Sequence, residues 1–236
     1  MLLQLHPVNP QPRNIETVVR CLLDGGVIVY PTDTIYGLGC DIFQPKAVER
    51  ICRIKQVDPA KAQLSFICSD LSDLSHYTKS ISTPLYRLLR THLPGPYTFI
   101  LPASKQVPKI LKSKKDTIGL RVPDNTIARS LVRELGHPIL SSSLPGDFPG
   151  GHRIRQEVKQ GRARSHDGPL AGPPPAFLVE DYTDPEIIHE KFRNLVDIVV
   201  DGGIGGVLPS TVVDCTGDEP VLLRKGLGEW EEAPET

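Results

Sequence analysis

The chain has 236 residues, a formal net charge of −1 at pH 7 and 39% hydrophobic residues. This length fits one large domain or two small ones, and the apolar content is high enough for a core, which excludes global disorder. A net charge near zero excludes the overall basic field that dedicated nucleic-acid-binding proteins usually show, although it leaves room for local basic clusters.

The cysteines and the N-terminal residues indicate the compartment. The cysteines are odd in number and have no metal-type spacing. They are Cys21, Cys40, Cys52, Cys68 and Cys215. The N-terminal residues lack the charged region and long apolar run of a signal peptide, and no apolar run is long enough to cross a bilayer. We therefore expect a cytoplasmic protein in a reducing environment, without membrane contact.

Apolar periodicity predicts helices that alternate with strands. Helices are predicted over residues 15–23 after an Asn14 cap, 47–56, 71 onward, 84–90, 105–111, 126–135 between an Asn125 cap and Gly136, and 185 onward after an Asp184 cap. Strands are predicted over residues 27–30, 63–68, 97–101, 117–122, 138–141, 197–200, 210–214 and 221–223. This alternation predicts one α/β domain with a mixed sheet.

One internal stretch differs from the rest of the chain. Residues from about 148 to 180 are rich in glycine, proline and basic side chains and show no periodicity. Because such a segment has too few apolar residues to form a core, we predict a flexible insertion within a single domain of residues 1–236.

The most informative stretch runs from Val27 to Asp41, with the sequence V-I-V-Y-P-T-D-T-I-Y-G-L-G-C-D. A short β-branched run predicts a buried strand, and Pro31 ends it because proline has no backbone donor. Three small polar residues, Thr32, Asp33 and Thr34, follow at once. They are consistent with a polar binding pocket at a strand end, and equally with a β-turn that uses local hydrogen bonds.

The motif P-T-D-T-x-Y-G-L within this stretch resembles the signature of the YrdC/YciO-like family, which includes threonylcarbamoyl-AMP synthases. The resemblance extends from Ile15 to about Gly228, except for the insertion, and is closest to the YciO-like branch. It implies a twisted, partly barrel-like mixed sheet around a large concave cleft. It also implies use of ATP, L-threonine and bicarbonate to make threonylcarbamoyl-adenylate, the precursor of a modified adenosine beside the tRNA anticodon.

The resemblance also assigns site residues. It places threonine beside Thr32, Asp33, Thr34, Tyr36 and Ser142, and ATP beside Lys55, Arg121, Ser142, Ser210, Thr211 and Arg224, with Lys55 and Arg121 as the catalytic pair. Thr98, in a P-G-P-x-T turn, is expected to face the cleft. Read without the resemblance, Lys55 is a surface lysine, Arg121 a member of an ion pair, and the hydroxyls are partners of the backbone. We expect Mg²⁺ to come with ATP and to be held largely by phosphates, and we assign no protein metal ligand.

Two positions depart from the family pattern. Val57 stands where the family has the arginine of a Lys-x-Arg motif, and Leu144 replaces the asparagine of a Ser-x-Asn motif. Because neither hydrocarbon can bind a phosphate or a carboxylate, we predict attenuated synthesis. Arg53 shares a helical face with Val57 if the helix continues that far. The alternative is a nucleotide- or double-stranded-RNA-binding protein that kept the fold without efficient catalysis.

A lysine run offers candidate RNA contacts. Its members are Lys105, Lys109, Lys112, Lys114 and Lys115. Such a run is usually a solvated face, but clustered cations also bind RNA phosphates.

Overall fold

The structure is a computed structural model that describes residues 1–58, 62, 64–108, 111, 116–144 and 182–230. Three sets of residues with predictions lie outside this range. They are the predicted insertion, the lysines at 109, 112, 114 and 115, and Gln63 of a predicted strand. The helices are α1 (Pro12–Leu23), α2 (Pro45–Ile54), α3 (Leu71–Tyr77), α4 (Thr83–His92), α5 (Thr126–Leu135) and α6 (Pro185–Phe192). The strands are β1 (Leu2–Gln4), β2 (Ile28–Tyr30), β3 (Gly37–Asp41), β4 (Ser65–Ile67), β5 (Tyr97–Pro102), β6 (Thr117–Arg121), β7 (Ile139–Ser143), β8 (Ile198–Asp201), β9 (Thr211–Asp214) and β10 (Val221–Arg224).

The strands form one mixed sheet in the order β1-β8-β2-β3-β7-β4-β6-β5-β9-β10. The predicted α/β class and mixed sheet are therefore confirmed. The order of the described strands ends at β1 and β10, and barrel-like closure stays a prediction.

Local sequence signals explain several helix ends. Asn125 accepts a hydrogen bond from the Ala128 amide, and Gly136 ends α5 in the left-handed conformation, as predicted. Asp184 caps α6 through the Glu186 amide. The prediction that Asn14 caps α1 is wrong, because the helix begins at Pro12, whose fixed φ suits a first turn.

The predicted helix over residues 105–111 is also wrong for residues 105–108, whereas Leu111 lies in a 3-10 turn and its amide donates to the Pro108 carbonyl at 2.9 Å. Residues 105 and 106 form a turn, and the Ser104 hydroxyl accepts a hydrogen bond from the Gln106 amide. Ala103 forms a bridge with Thr78 just before this turn, and Pro108 cannot donate within a continuing helix.

Two strands were not predicted from the sequence. β1 is three residues long and pairs with β8, from the far end of the chain. β3 contains glycines that bring its backbone close to a tyrosine ring of β2. A Cβ on Gly39 would lie 2.8 Å from Cε1 of Tyr30, so glycine is required there.

The two faces of the sheet have separate hydrophobic cores. The larger core includes Leu38, Phe66, Phe99, Leu120 and Leu140 and packs against α2, α4 and α6. The second core lies on the other face beneath α1 and α5, and its strand residues come from β2, β4, β7 and β8. No residue of β5, β6, β9 or β10 belongs to this second core as far as the structure describes the chain, and we call this part of the second face the open face. Along β5, Tyr97, Phe99 and Leu101 are buried, whereas Thr98, Ile100 and Pro102 are only half-buried.

Candidate active site

The polar segment after β2 surrounds the guanidinium of Arg121, at the end of β6. Arg121 Nη2 donates to Oδ1 of Asp33, to Oγ1 of Thr34 at 2.7 Å and, more weakly, to Oγ1 of Thr32 at 3.4 Å. The second oxygen of Asp33 accepts a hydrogen bond from the Asp124 amide at 3.0 Å. The ion pair that the sequence left as the alternative for Arg121 is thus present, and it joins segments 88 residues apart.

The Arg121–Asp33 pair is buried, with 9% of the arginine side chain and 8% of the aspartate side chain exposed. Nε of Arg121 is buried too, and it has no hydrogen-bond partner among the described residues. A buried guanidinium donor without an acceptor is unfavourable unless a ligand or water supplies one. The Nε–H group of Arg121 can therefore donate a hydrogen bond to an oxygen atom of a bound ligand.

A second polar group forms where β9 begins. Oγ of Ser210 lies 2.9 Å from Oγ1 of Thr98, and Arg224 Nη2 donates to the Ser210 carbonyl at 2.8 Å and to its hydroxyl at 3.3 Å. The pKa of Arg224 is lowered, chiefly by desolvation of its guanidinium and secondly by the positive charge of Arg121. The two arginines therefore sense each other's charge.

Strand register places both groups on the open face of the sheet. A Cβ on Gly119 would lie 3.2 Å from Cβ of Ser65 and 3.4 Å from Cγ2 of Thr98, so these positions share a face. Arg121 is two residues after Gly119 on the same strand and points the same way. Ser210 joins this face through its contact with Thr98.

Lys55 lies at the C-terminal end of α2, and its Nζ donates to the Ser143 carbonyl at 2.5 Å. Burial lowers the pKa of this lysine to about 8. Lys55, which without the family resemblance would be interpreted as a surface lysine, is thus partly buried at the end of β7; its predicted role in catalysis and ATP binding stays a prediction.

Two predicted binding residues lie on the other face. Ser141 lies opposite Ser65, which in turn lies opposite Gly119, so Ser141 is on the same face of the sheet as Gly119. Ser142 is the next residue of the same strand and therefore points to the other face, where it lies opposite Leu38. Thr211 is fully buried, and its hydroxyl donates to the Gly228 carbonyl at 2.6 Å and accepts from the Gly226 amide at 3.0 Å. The structure does not bring either hydroxyl to the open face.

Tyr36 is a buried support for the polar segment. Its hydroxyl donates to the Gly203 carbonyl at 2.7 Å and accepts from the Gly202 amide at 3.2 Å, and burial raises its pKa to about 12. The Gly206 amide donates to the Thr34 carbonyl at 2.8 Å. We define residues 202–206 as the glycine loop. This loop was not predicted from the sequence, although its four glycines were the available signal.

The two departures from the family pattern have different surroundings. Leu144 is 4% exposed within the larger core, whereas Val57 is half-buried just beyond α2. The α2 helix ends at Ile54, and Gln56 has a positive φ of 53°. Arg53 is exposed and does not share a continuing helical face with Val57.

Metal and RNA contacts have little support in the described part of the chain. No group of three or more His, Cys, Asp or Glu side chains in it is arranged to hold a metal ion. Lys105 is exposed and is the member of the lysine run that falls within the described residues. No helix among the described residues is long and apolar enough to span a membrane.

Comparison with known proteins agrees with this architecture. The model of the Sua5/YciO/YrdC family, described as "Telomere recombination", matches residues 20–159 and 178–226. The chain is 40% identical to the uncharacterized protein YciO of Escherichia coli K12, over 95% of each chain. It is also 40% identical to a threonylcarbamoyl-AMP synthase of Idiomarina loihiensis, over 57% of this chain and 73% of the relative.

Solved structures show the same fold. The crystal structure of E. coli YciO matches with a TM-score of 0.78 and 39% identity, over 97% of each chain. P. abyssi Sua5 complexed with L-threonine matches with a TM-score of 0.74 and 26% identity, over 96% of this chain and 57% of that one. The family predicted from the P-T-D-T-x-Y-G-L motif is confirmed: the chain belongs to the Sua5/YciO/YrdC family.

Proposed function

We propose that this protein is a threonylcarbamoyl-AMP synthase-like enzyme that makes threonylcarbamoyl-adenylate from ATP, L-threonine and bicarbonate for tRNA modification, with attenuated activity. The observation that carries the proposal is the convergence of Arg121 and Arg224 on one open face of the sheet, each held by hydroxyl groups. Relatives that share 36–40% identity over about half of the chain are named threonylcarbamoyl-AMP synthases, and a Sua5 structure was solved with L-threonine.

The two polar groups suit different parts of the reaction. Arg224 with Ser210 and Thr98 offers a cation and hydroxyl donors for the triphosphate, where preorganised donors stabilise the charge on a transferring group. Arg121 with the threonine-rich segment offers a directed donor for the oxygen of a smaller substrate. Holding both substrates on one rigid face lowers the entropic cost of bringing them together.

Mg²⁺ fits this scheme as an ion that arrives with ATP. Asp33, the carboxylate that contacts Arg121, is only 8% exposed and each of its oxygens already accepts a hydrogen bond, so we assign no metal to it. A magnesium ion that is bound mainly by substrate phosphates and water is the usual arrangement in nucleotide sites. The ion would supply positive charge to the leaving pyrophosphate.

Attenuation follows from Val57 and Leu144. A missing charge-assisted contact to a reacting group costs on the order of 2–4 kcal/mol in the transition state, roughly a hundredfold to a thousandfold in rate. The core position of Leu144 also favours a second candidate function, a nucleotide- or double-stranded-RNA-binding protein. In that case Arg224, Ser210 and Thr98 would bind a nucleotide or RNA phosphate, but the protein would not make the adenylate efficiently.

The experiment is pyrophosphate release from ATP with and without L-threonine and bicarbonate, alongside ATP binding by calorimetry. We expect slow release that requires both co-substrates and that falls further in Arg224→Gln. A Val57→Arg variant should increase it. Bound ATP without any threonine-dependent release, in both wild type and Val57→Arg, would replace the synthase proposal with the binding-protein function.

A further inference from the structure

Arg121 differs from the other cations of the site because it has a counterion in the fold. Its ion pair with Asp33 is shielded from solvent, and Thr34 supplies a further acceptor at the same nitrogen. The Asp33 carboxylate offsets part of the arginine's charge, so the pair presents less positive charge to the open face than an unpaired arginine would, although Arg224 still senses Arg121. What it keeps is the unpartnered Nε–H donor.

Arg224 and Lys55 have no such counterion. The described residues place no carboxylate oxygen within 4.0 Å of either side chain. The lowered pKa values of both groups agree with this, because desolvation without a compensating carboxylate disfavours the charged form. Among the described residues, Arg224 is therefore the cation of the open face that has no carboxylate partner, and Lys55 is an unpaired cation at the end of β7.

We propose that Asp33 is a specificity-determining residue, which neutralises Arg121 so that this arginine accepts a single oxygen of a carboxylate or carbonyl and not a polyphosphate. This rests on the proposed function, because it divides the same face into two subsites. The polyphosphate occupies the Arg224 subsite, and a small zwitterionic or singly charged substrate contacts Arg121. Asp33 itself does not touch the substrate, since both of its oxygens have partners within the protein.

The test uses inorganic pyrophosphate as the probe and isothermal calorimetry at two salt concentrations. Asp33→Asn keeps the shape of the side chain but removes its charge, so the face gains one net positive charge. We expect the affinity for pyrophosphate to rise at least fivefold and to fall more steeply with salt. Asp197→Asn is the matched control, because it removes the carboxylate of the Arg50–Asp197 pair beside Val27, before β2 begins, and should leave pyrophosphate affinity unchanged.

A second variant keeps the test valid if Asp33→Asn does not fold. The double variant Asp33→Asn/Arg121→Gln removes the pair while leaving the net charge as in the wild type. Its pyrophosphate affinity should stay within twofold of the wild-type value. A tenfold loss in the double variant, or an unchanged or weaker affinity in a folded Asp33→Asn, would show that Arg121 is itself a phosphate-binding cation and would overturn the proposal.

These measurements are independent of catalysis. If the wild type releases no pyrophosphate from ATP, the synthase function fails, but Asp33→Asn must still gain pyrophosphate affinity. Conversely, threonine-dependent turnover together with an unchanged Asp33→Asn affinity would keep the synthase function and reject the role of Asp33.

Discussion

Ser210 and Thr211 are consecutive residues whose hydroxyls serve opposite faces of the sheet. Ser210 contacts Thr98 and Arg224 on the open face, whereas Thr211 holds the backbone of Gly226 and Gly228 beneath it. Successive side chains in a strand point to opposite faces, so adjacency in a motif does not imply a shared role. We therefore expect the Ser210 hydroxyl to contribute to ligand binding and the Thr211 hydroxyl to contribute to the stability of the fold.

We predict that Ser210→Ala weakens ATP binding and that Thr211→Val mainly lowers stability. Thr211→Val leaves the buried Gly228 carbonyl and the half-buried Gly226 amide without their hydroxyl partner, which should reduce the free energy of unfolding by about 1–3 kcal/mol. Calorimetric titration with ATP and urea unfolding measure the two effects. Equal losses of ATP affinity in both variants, with unchanged stability, would contradict this division.

The contact between the glycine loop and Thr34 gives a second prediction. A Cβ on Gly206 would lie 2.5 Å from the Thr34 carbonyl oxygen, which is backbone and cannot rotate away. Gly206→Ala should therefore lower the free energy of unfolding by about 1–3 kcal/mol, as overpacking does. Gly217→Ala is the control, because the nearest atom to its Cβ is 3.9 Å away. Equal unfolding midpoints for the two variants in urea would show that the loop does not pack on Thr34 in this way.

The low pKa of Lys55 predicts a pH-dependent effect on stability. Below pH 8 the lysine is charged in both folded and unfolded chains, and the burial cost is fully present. Between pH 8 and its ordinary value of 10.5, the unfolded chain binds more protons, so stability rises with pH. Lys55→Met should therefore be more stable than the wild type at pH 7, by about 1–3 kcal/mol, and this advantage should shrink by pH 10.

The measurement is thermal unfolding at both pH values. Lys46→Met is the control, because Lys46 is an exposed lysine on the same helix and its removal relieves no burial cost. A stability difference between Lys55→Met and wild type that stays constant from pH 7 to pH 10 would be inconsistent with a depressed Lys55 pKa.

Restoring the family residues at the two departing positions should have unequal structural consequences. Leu144→Asn puts an amide into the larger core and should reduce the free energy of unfolding by about 2–4 kcal/mol. Val57→Arg is at a half-buried position outside a helix and should change it by less than about 1 kcal/mol. Urea unfolding compares them. If Leu144→Asn is as stable as the wild type, the core at this site contains a polar partner for the amide.

Much of the local structure could be predicted from short-range signals. The caps at Asn125 and Asp184, the end of α5 at Gly136 and the strand before Pro31 follow from backbone chemistry within a few residues. The absence of the predicted helix at residues 105–108 shows the limit of this reasoning, because periodicity there competes with the bridge of Ala103 to Thr78, which is distant in sequence.

The sequence by itself determined the family, the alternation of helices and strands, and the position of a polar segment after a buried strand. The tertiary structure decided that Asp33 pairs with Arg121, that Ser142 and Thr211 lie away from the open face, and that Leu144 belongs to the core. The physical reason is that caps and turns depend on neighbouring residues. Counterions and sheet faces depend instead on register between segments that are, for Arg121 and Asp33, 88 residues apart.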